Sequence, residues 1–306
     1  YLECNMGAAG DMLMAALYEL LEDKQGFLDT MNSLGLPGVR LEAQAASTCG
    51  IAGTHMAVTV DGQEETEPAA PEVAGQDHLH HHGEEHHHHE HEHGHEHGHS
   101  HEHHHDDGHD HDHGEAHHHH HHHATPGHIG AVIDSLPLPQ EVKAHARGVY
   151  DAIAQAEAKA HGCPVGDVHF HEVGALDAVA DVVGVCCALY LLQPDQILAS
   201  PVHVGSGTVR CAHGVMPVPA PATANLLSGV PIYGGTVRGE LCTPTGAALL
   251  THFAQSFGSM PVMATQAVGV GIGTKTFEQA NCVRAFLGET AEEANGEILE
   301  LVCNID

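Results

Sequence analysis

The stretch from His78 to His123 cannot be part of any core, and that fact divides everything else in the chain. It holds 27 of the 36 histidines, interleaved with eleven Asp and Glu, and no Lys or Arg. A segment so poor in apolar side chains cannot bury enough surface to offset its ordering entropy, so it is expected to be disordered when free. Whatever folds must therefore join the residues before it to those after it. The seven-histidine run 117–123 is not a terminal tag, because it lies inside the chain within a longer mixed tract. Neutral imidazoles bind Ni²⁺, Cu²⁺, Co²⁺ and Zn²⁺, and many weak sites on one tether raise the local metal concentration. His86, His87, His88 and His89, with His117, His119 and His121, mark its densest runs. The plain alternative is a solvated spacer, and the tract alone does not choose the metal.

Charge narrows the class of partner. The 306 residues carry a formal net charge of −32 with only nine Lys and Arg, so there is no basic patch and nucleic acid is not an expected partner. No apolar run reaches ~18 residues, so no membrane span is expected. The first 21 residues lack the basic start of a signal peptide. Nine cysteines, an odd number without a CxxC pair, argue for a reducing, cytoplasmic setting rather than a disulfide framework. Cys186 and Cys187 fall in an apolar helix, where packing is the simpler role than metal binding.

The pattern predicts an α/β fold, with a mixed α+β arrangement also open: a strand-turn-helix core interrupted by the His-rich insertion. Strands are expected at 1–4, 41–45, 55–60, 167–171, 197–203, 232–237, 263–269 and 282–287. Helices are expected at 11–22, 29–34, 129–136, 140–161, 174–192, 222–227 and 246–257, and a glycine turn at Gly269, Gly271 and Gly273. Residues 1–76 plus 124–290 form the expected metal-handling domain, 77–123 the insertion, and 291–306 a polar break followed by the first strand of something further.

Chemistry concentrates in VHFHEVGALDAVAD, Val168 to Asp181. An alternating run puts His169 and His171 on one face, Glu172 follows, and Asp177 and Asp181 share one helix face four residues apart. Nitrogen and oxygen donors at that density suit a borderline metal such as nickel, zinc, cobalt or manganese. A turn with a capping carboxylate and two half-exposed histidines would carry the same letters. Glycine-rich turns add possible anion cradles: Gly7, Gly10 and Asp11 at the first helix start, Gly205 and Gly207 in a loop, and Thr243, Thr245 and Gly246 at a helix opened by Pro244. An ordinary capped helix is the alternative at each.

Four motifs, NMGAAGDM, HFHEVGALDAVAD, GSGTVRCAHGVMPVPAPAT and GELCTPTGAALL, occur in that order, with the His-rich tract between the first two. Together they make this sequence resemble the LarC family, the nickel insertion proteins of lactate racemase maturation. The resemblance implies a cyclometallase of the lyase class that places nickel into pyridinium-3,5-bisthiocarboxylic acid mononucleotide with a nickel–carbon bond. It implies consumption of CTP with Mg²⁺ or Mn²⁺, and a recipient racemase apoprotein. It carries over Asp11, His171, Glu172, Asp177, Thr243 and Thr245 as site candidates. His203 stands where an apolar or small polar residue is expected, and NMGAAG lacks the serine usual in that turn. The final EILELVCNID resembles the start of the family's nucleotide-binding domain, most of which lies beyond this sequence.

Two function classes follow. One is an enzyme that inserts nickel, with His171, Glu172 and Asp177 as its catalytic group and His169 and Asp181 beside them. The other is a nickel store or metallochaperone without catalysis, which the tract fits equally well. A GTP-driven metallochaperone is not expected, since there is no Walker A loop, and a zinc hydrolase is the poorest reading, since HExxH is absent.

Overall fold

The computed structural model describes residues 1–64 and 124–290; residues 65–123 and 291–306 lie outside the described residues. The expected disorder of the tract, its seven candidate histidines and the expected strand near 298–305 fall there. Both described segments belong to one compact unit.

In chain order the described residues run β1 (Leu2–Glu3), α1 (Gly10–Leu20), α2 (Lys24–Asn32), β2 (Val39–Thr48), β3 (Ile51–Val60), β4 (Gln63–Glu64), α3 (Pro126–Ser135), α4 (Gln140–His161), α5 (Leu176–Leu192), β5 (Leu198–Ala199), β6 (Val202–His203), β7 (Gly205–Ser206), β8 (Thr208–Cys211), β9 (Gly214–Pro217), α6 (Pro221–Leu226), β10 (Ile232–Tyr233), β11 (Gly239–Glu240), α7 (Pro244–Phe253), β12 (Ser256–Phe257), β13 (Met263–Ile272) and β14 (Cys282–Thr290). This is a mixed α/β fold. One sheet has the order β12-β5-β1-β14-β13-β3-β2, with β4 added beside β3. The long hairpins β2–β3 and β13–β14 are antiparallel, while β1, β5 and β12 pair in parallel. Three small two-stranded ribbons, β6 with β10, β7 with β11 and β8 with β9, stand apart from it.

Helix α1 lies on this sheet against β3, β13 and β14, α5 packs on α1, and α4 packs on α5. Its residues Met12 to Leu17 are all buried. The helix comes down to backbone distance because β13 offers no side chain beneath it. A Cβ at Gly269 would run into the Ala16 carbonyl, and one at Gly271 into the Met12 carbonyl. These two glycines were expected in a turn; they are strand residues whose bareness lets the helix seat. Helix α5 is apolar nearly all round, with Val179 to Leu189 buried but for Asp181, as a helix sandwiched between others must be. Cys186 and Cys187 are buried thiols within it.

Three further expectations shift. The strand at 167–171 does not form. A 3-10 turn, Val165–Asp167, leads to a single bridge between Phe170 and Ala124, then to a second 3-10 turn, Glu172–Gly174. Among the described residues only Ala124 pairs with this segment, yet the alternation survives: Val168 and Phe170 are buried while His169 and His171 face the other way, into a cavity. The strand at 197–203 is cut at Ser200-Pro201, because proline supplies no N–H to a ladder. β5 therefore stays in the main sheet while β6 pairs with β10. The strand at 232–237 is only Ile232–Tyr233.

Candidate functional site

A cavity of about 540 Å³ opens where α1, α4, α5 and α7 end or begin beside the β8–β9 hairpin. The chain's turns deliver polar groups to it in two separate sets.

The first set is carboxylate. Asp11 comes from the first turn of α1, and Asp177 and Asp181 from the first turns of α5. Gly10 makes their meeting possible: a Cβ there would lie 2.6 Å from the Asp181 Cβ. The Asp11 and Met12 amides at the opening of α1 oppose the rise of the Asp181 and Asp11 carboxyls. Burial pushes the Asp11 carboxyl up to about 6 against the pull of the Met12 amide. Burial first, then Asp11 and Asp177, holds Asp181 well above the usual carboxylate range. The Oδ1 atoms of Asp177 and Asp181 are buried and accept no hydrogen bond. An orphaned buried carboxylate oxygen is costly, so this wall is built for something other than stability. His55 and Glu64, joined at 2.8 Å, stand nearby.

The second set is imidazole-rich. His161 closes α4, His171 stands between the two 3-10 turns, and His213 sits at the tip of the β8–β9 hairpin. The His213 ring centroid is 4.7 Å from that of His161 and 4.5 Å from that of His171. Glu157 Oε2 lies 3.4 Å from His161 Nε2. Glu172 accepts from the Ala212 N–H at 3.1 Å, tying the hairpin tip to the segment that carries His171. Burial raises the Glu157 carboxyl, and His161 and His213 oppose the rise. His169 also lines the cavity.

Among the described residues no group of three or more His, Cys, Asp or Glu side chains could hold a metal ion. The donors are brought to one cavity, not to one ligand shell.

A model of the family described as nickel insertion protein matches residues 1–306. The chain belongs to the nickel insertion protein family. It is 35% identical over 313 residues to the pyridinium-3,5-bisthiocarboxylic acid mononucleotide nickel insertion protein of Desulfitobacterium hafniense (strain DSM 10664 / DCB-2), covering 100% of this chain and 64% of that protein. A protein of the same name from Staphylococcus saprophyticus is 33% identical over 306 residues, again 100% of this chain and 64% of its own length. A putative nickel insertion protein of Geobacter metallireducens is 47% identical over 179 residues, 58% of this chain and 45% of that protein. The chain thus spans just under two thirds of the first two relatives. No solved structure matches.

Of the candidates named from the sequence, Gly10, Asp11, His169, His171, Glu172, Asp177, Asp181, Thr243 and Thr245 line the cavity. Gly7, Gly205, Gly207 and Gly246 do not line it. Gly7 turns with a left-handed φ of 79° against the Leu241 backbone, Gly205 does so against Gly239, and Gly246 lets α7 close on the Ala8 carbonyl. Thr243 caps α7 by accepting from the Gly246 N–H at 3.2 Å, and its hydroxyl is 3.0 Å from that of Thr245. His203 is held by the Asn5 and Gly234 carbonyls at 2.8 and 3.0 Å and stacks on Tyr233, so its work is to clamp two loops.

The motifs left other cavity residues unassigned: Glu64, Glu157, His161, Arg210, His213, Glu240 and Lys275. A signal existed for some. Only nine histidines lie outside the tract, and four of these meet here. Arg210 and Lys275 are two of only nine cations in a strongly acidic chain.

Proposed function

We propose that this chain presents nickel to pyridinium-3,5-bisthiocarboxylic acid mononucleotide and inserts it there, with consumption of CTP. The observation that carries the reading is one cavity, in a member of the nickel insertion family, that joins an imidazole-rich wall to a wall of half-buried carboxylates. The substrate's name describes its needs: an anionic phosphate, two anionic thiocarboxylates and a cationic ring. Arg210 and Lys275, the cations on the cavity wall, suit the phosphate, and the acidic wall suits the ring. The two thiocarboxylate sulfurs bind the incoming Ni²⁺. The ring C–H bond between them breaks as the nickel–carbon bond forms, and the proton leaves to a base. No electron is gained or lost overall. Asp177, with a buried oxygen lacking a hydrogen-bond partner, is the candidate for that proton. His171 faces the metal's approach, and Glu172 anchors the hairpin beside it through the Ala212 amide.

CTP, with Mg²⁺ or Mn²⁺, belongs in this proposal to the nucleotide-binding region that EILELVCNID resembles. A racemase apoprotein is the proposed recipient and the cytoplasm the proposed location. No helix among the described residues is long and apolar enough to cross a membrane.

A second reading, a nickel store, draws on the 27 tract histidines. Shortening the tract separates the two. An inserting enzyme keeps its rate at saturating nickel and keeps its fold, whereas a store loses most of its metal capacity and never converts the mononucleotide. Absence of any nickel-containing nucleotide product from the intact protein supplied with nickel, mononucleotide and CTP overturns the enzyme reading.

A further inference from the structure

We propose that Phe277 is the platform on which the pyridinium ring of the mononucleotide lies, face to face, while nickel is inserted. This deepens the insertion reading and rests on it for the identity of the ring.

The chain has six Phe, five Tyr and no Trp. Ten of these eleven rings are packed against the protein itself. Tyr1 meets Phe286, Tyr18 meets Phe27 and Tyr150 meets Phe170, with centroids 5.9 to 6.3 Å apart. Tyr233 stacks on His203 at 4.6 Å, and Phe253 leans on His145 and His252. Tyr190 and Phe257 pack against the hydrophobic core. Among the described residues Phe277 alone has neither a ring partner nor a place in that core; it is half-buried and lines the cavity. No other phenyl or phenol ring of the described residues stands on the cavity wall. A large apolar ring turned into a polar cavity completes its burial only against something that enters.

The loop that carries Phe277 holds it in place. Residues 273–281 join β13 to β14, and the Gly273 N–H closes the root by donating to the Asn281 carbonyl at 3.2 Å. The buried Asn281 side chain donates to the Lys275 carbonyl at 2.8 Å, and the Asn281 backbone N–H to Thr48 Oγ1 at 3.2 Å. Lys275 Nζ donates to the Glu240 carbonyl at 3.2 Å, and the Cys49 thiol to the Glu278 carbonyl at 3.4 Å. The loop is thus pinned on both sides of Phe277 by polar contacts, which leaves the ring's own faces for a ligand.

The substrate supplies what this ring lacks. A pyridinium is flat and positively charged, and the face of a phenyl ring is negative. Stacking also suits the reaction. The C–H bond that nickel replaces lies in the plane of the pyridinium, so a partner on the face leaves that edge open to metal and base. Asp177, the proposed base, lines the same cavity. A partner on the edge would block the chemistry.

The absence of tryptophan makes the test direct. Phe277→Trp gives the chain its only indole, and a pyridinium ion quenches an indole on contact. The full chain is titrated with nicotinic acid mononucleotide, which carries pyridinium and phosphate, and with uridine monophosphate, which carries the phosphate on a neutral ring. Val262→Trp, at an exposed position outside the cavity lining, is the control. Saturable quenching by the pyridinium nucleotide is expected in Phe277→Trp, with little effect from uridine monophosphate and only a linear, collisional response in Val262→Trp. By calorimetry, Phe277→Ala and Phe277→Leu should each weaken binding of the pyridinium nucleotide at least fivefold, while Phe277→Tyr stays within twofold and all keep the melting temperature. With the bisthiocarboxylate substrate, Phe277→Leu should raise KM by a similar factor with kcat little changed. A linear response in Phe277→Trp, parental affinity in Phe277→Leu, or equal losses for the two nucleotides overturns the platform. The titrations need neither nickel nor CTP, so the two proposals fail separately. Saturable quenching in a protein that never inserts nickel sinks the insertion reading alone, and insertion with an unchanged KM in Phe277→Ala sinks the platform alone.

Discussion

The two walls of the cavity are built on opposite principles. The carboxylate wall is set into the helix layer: Asp11, Asp177 and Asp181 stand in the opening turns of two packed helices, which close on each other because Gly10 carries no side chain. The imidazole wall is assembled at the margin, with His161 and His213 both exposed and the hairpin tip held by one hydrogen bond. A rigid wall preorganises charge for a reaction, and an adaptable one can close on a metal and let it go. The difference teaches that collection and chemistry need different mechanical settings, even about one cavity.

The sharpest way to break this comparison is to remove one group from each wall. His171→Ala and Asp177→Ala should each cut nickel insertion at least tenfold, about 1.4 kcal/mol, with melting temperatures within a few degrees of the parent. If the walls act independently, the double variant should show the product of the two losses. Normal insertion by both single variants would make this segment purely structural.

Next comes the cost of the rigid wall. Asp11 has a folded-state pKa of about 6, above its ordinary 3.8. An acid raised in this way binds its proton more tightly when folded, so its contribution to stability falls as pH rises from about 4 through 6. Asp11→Asn should therefore stabilise the protein at pH 7, by up to about 3 kcal/mol, and by almost nothing at pH 4. Urea unfolding at the two pH values reads this directly. Equal effects at both would mean that Asp11 is not held in a costly state.

A smaller effect is expected between the walls. Arg210→Met and Lys275→Met should each raise the KM for the mononucleotide by threefold to fivefold, under 1 kcal/mol, with kcat little changed. A fall in kcat at constant KM would move these cations from holding the phosphate to the reaction itself. The smallest effect should come from Glu172→Gln, which keeps an oxygen for the Ala212 amide. Less than a twofold change in nickel affinity with this variant, against a clear loss with Glu172→Ala, would sharpen the view that Glu172 works by anchoring the hairpin. Equal losses would make its charge the active feature.

Much of the fold was readable because its signals are local. Helix α4 was marked from Gln140 to His161 by apolar spacing, Pro139 before it and Gly162 after it. Helix α7 was marked by Thr243 and Pro244. The hidden parts depended on what lay opposite. Alternation at 168–171 looked like a strand, but a strand needs a partner edge, and among the described residues only Ala124 pairs with it. Gly269 and Gly271 looked like a turn because the helix above them, at Met12 and Ala16, lies near the other end of the sequence. At the site, Asp177 and Asp181 were visible as a pair by helical spacing. Their meeting with Asp11 was not, since nothing near residue 10 announces which acid will press against its glycine.

The sequence alone determined the kinds of donor present, the periodicity of the long helices, the scarcity of cations and the separation of the His-rich tract from anything able to form a core. These follow from composition and short-range spacing, which act before the chain is folded. Only the tertiary structure decided that His161 and His213 join His171, that Gly7, Gly205, Gly207 and Gly246 serve backbone turns and packing, and that acids and imidazoles occupy separate walls. Those outcomes depend on which helix ends and loops are brought together across long stretches of chain, and close packing, unlike periodicity, is fixed only when both partners are in place.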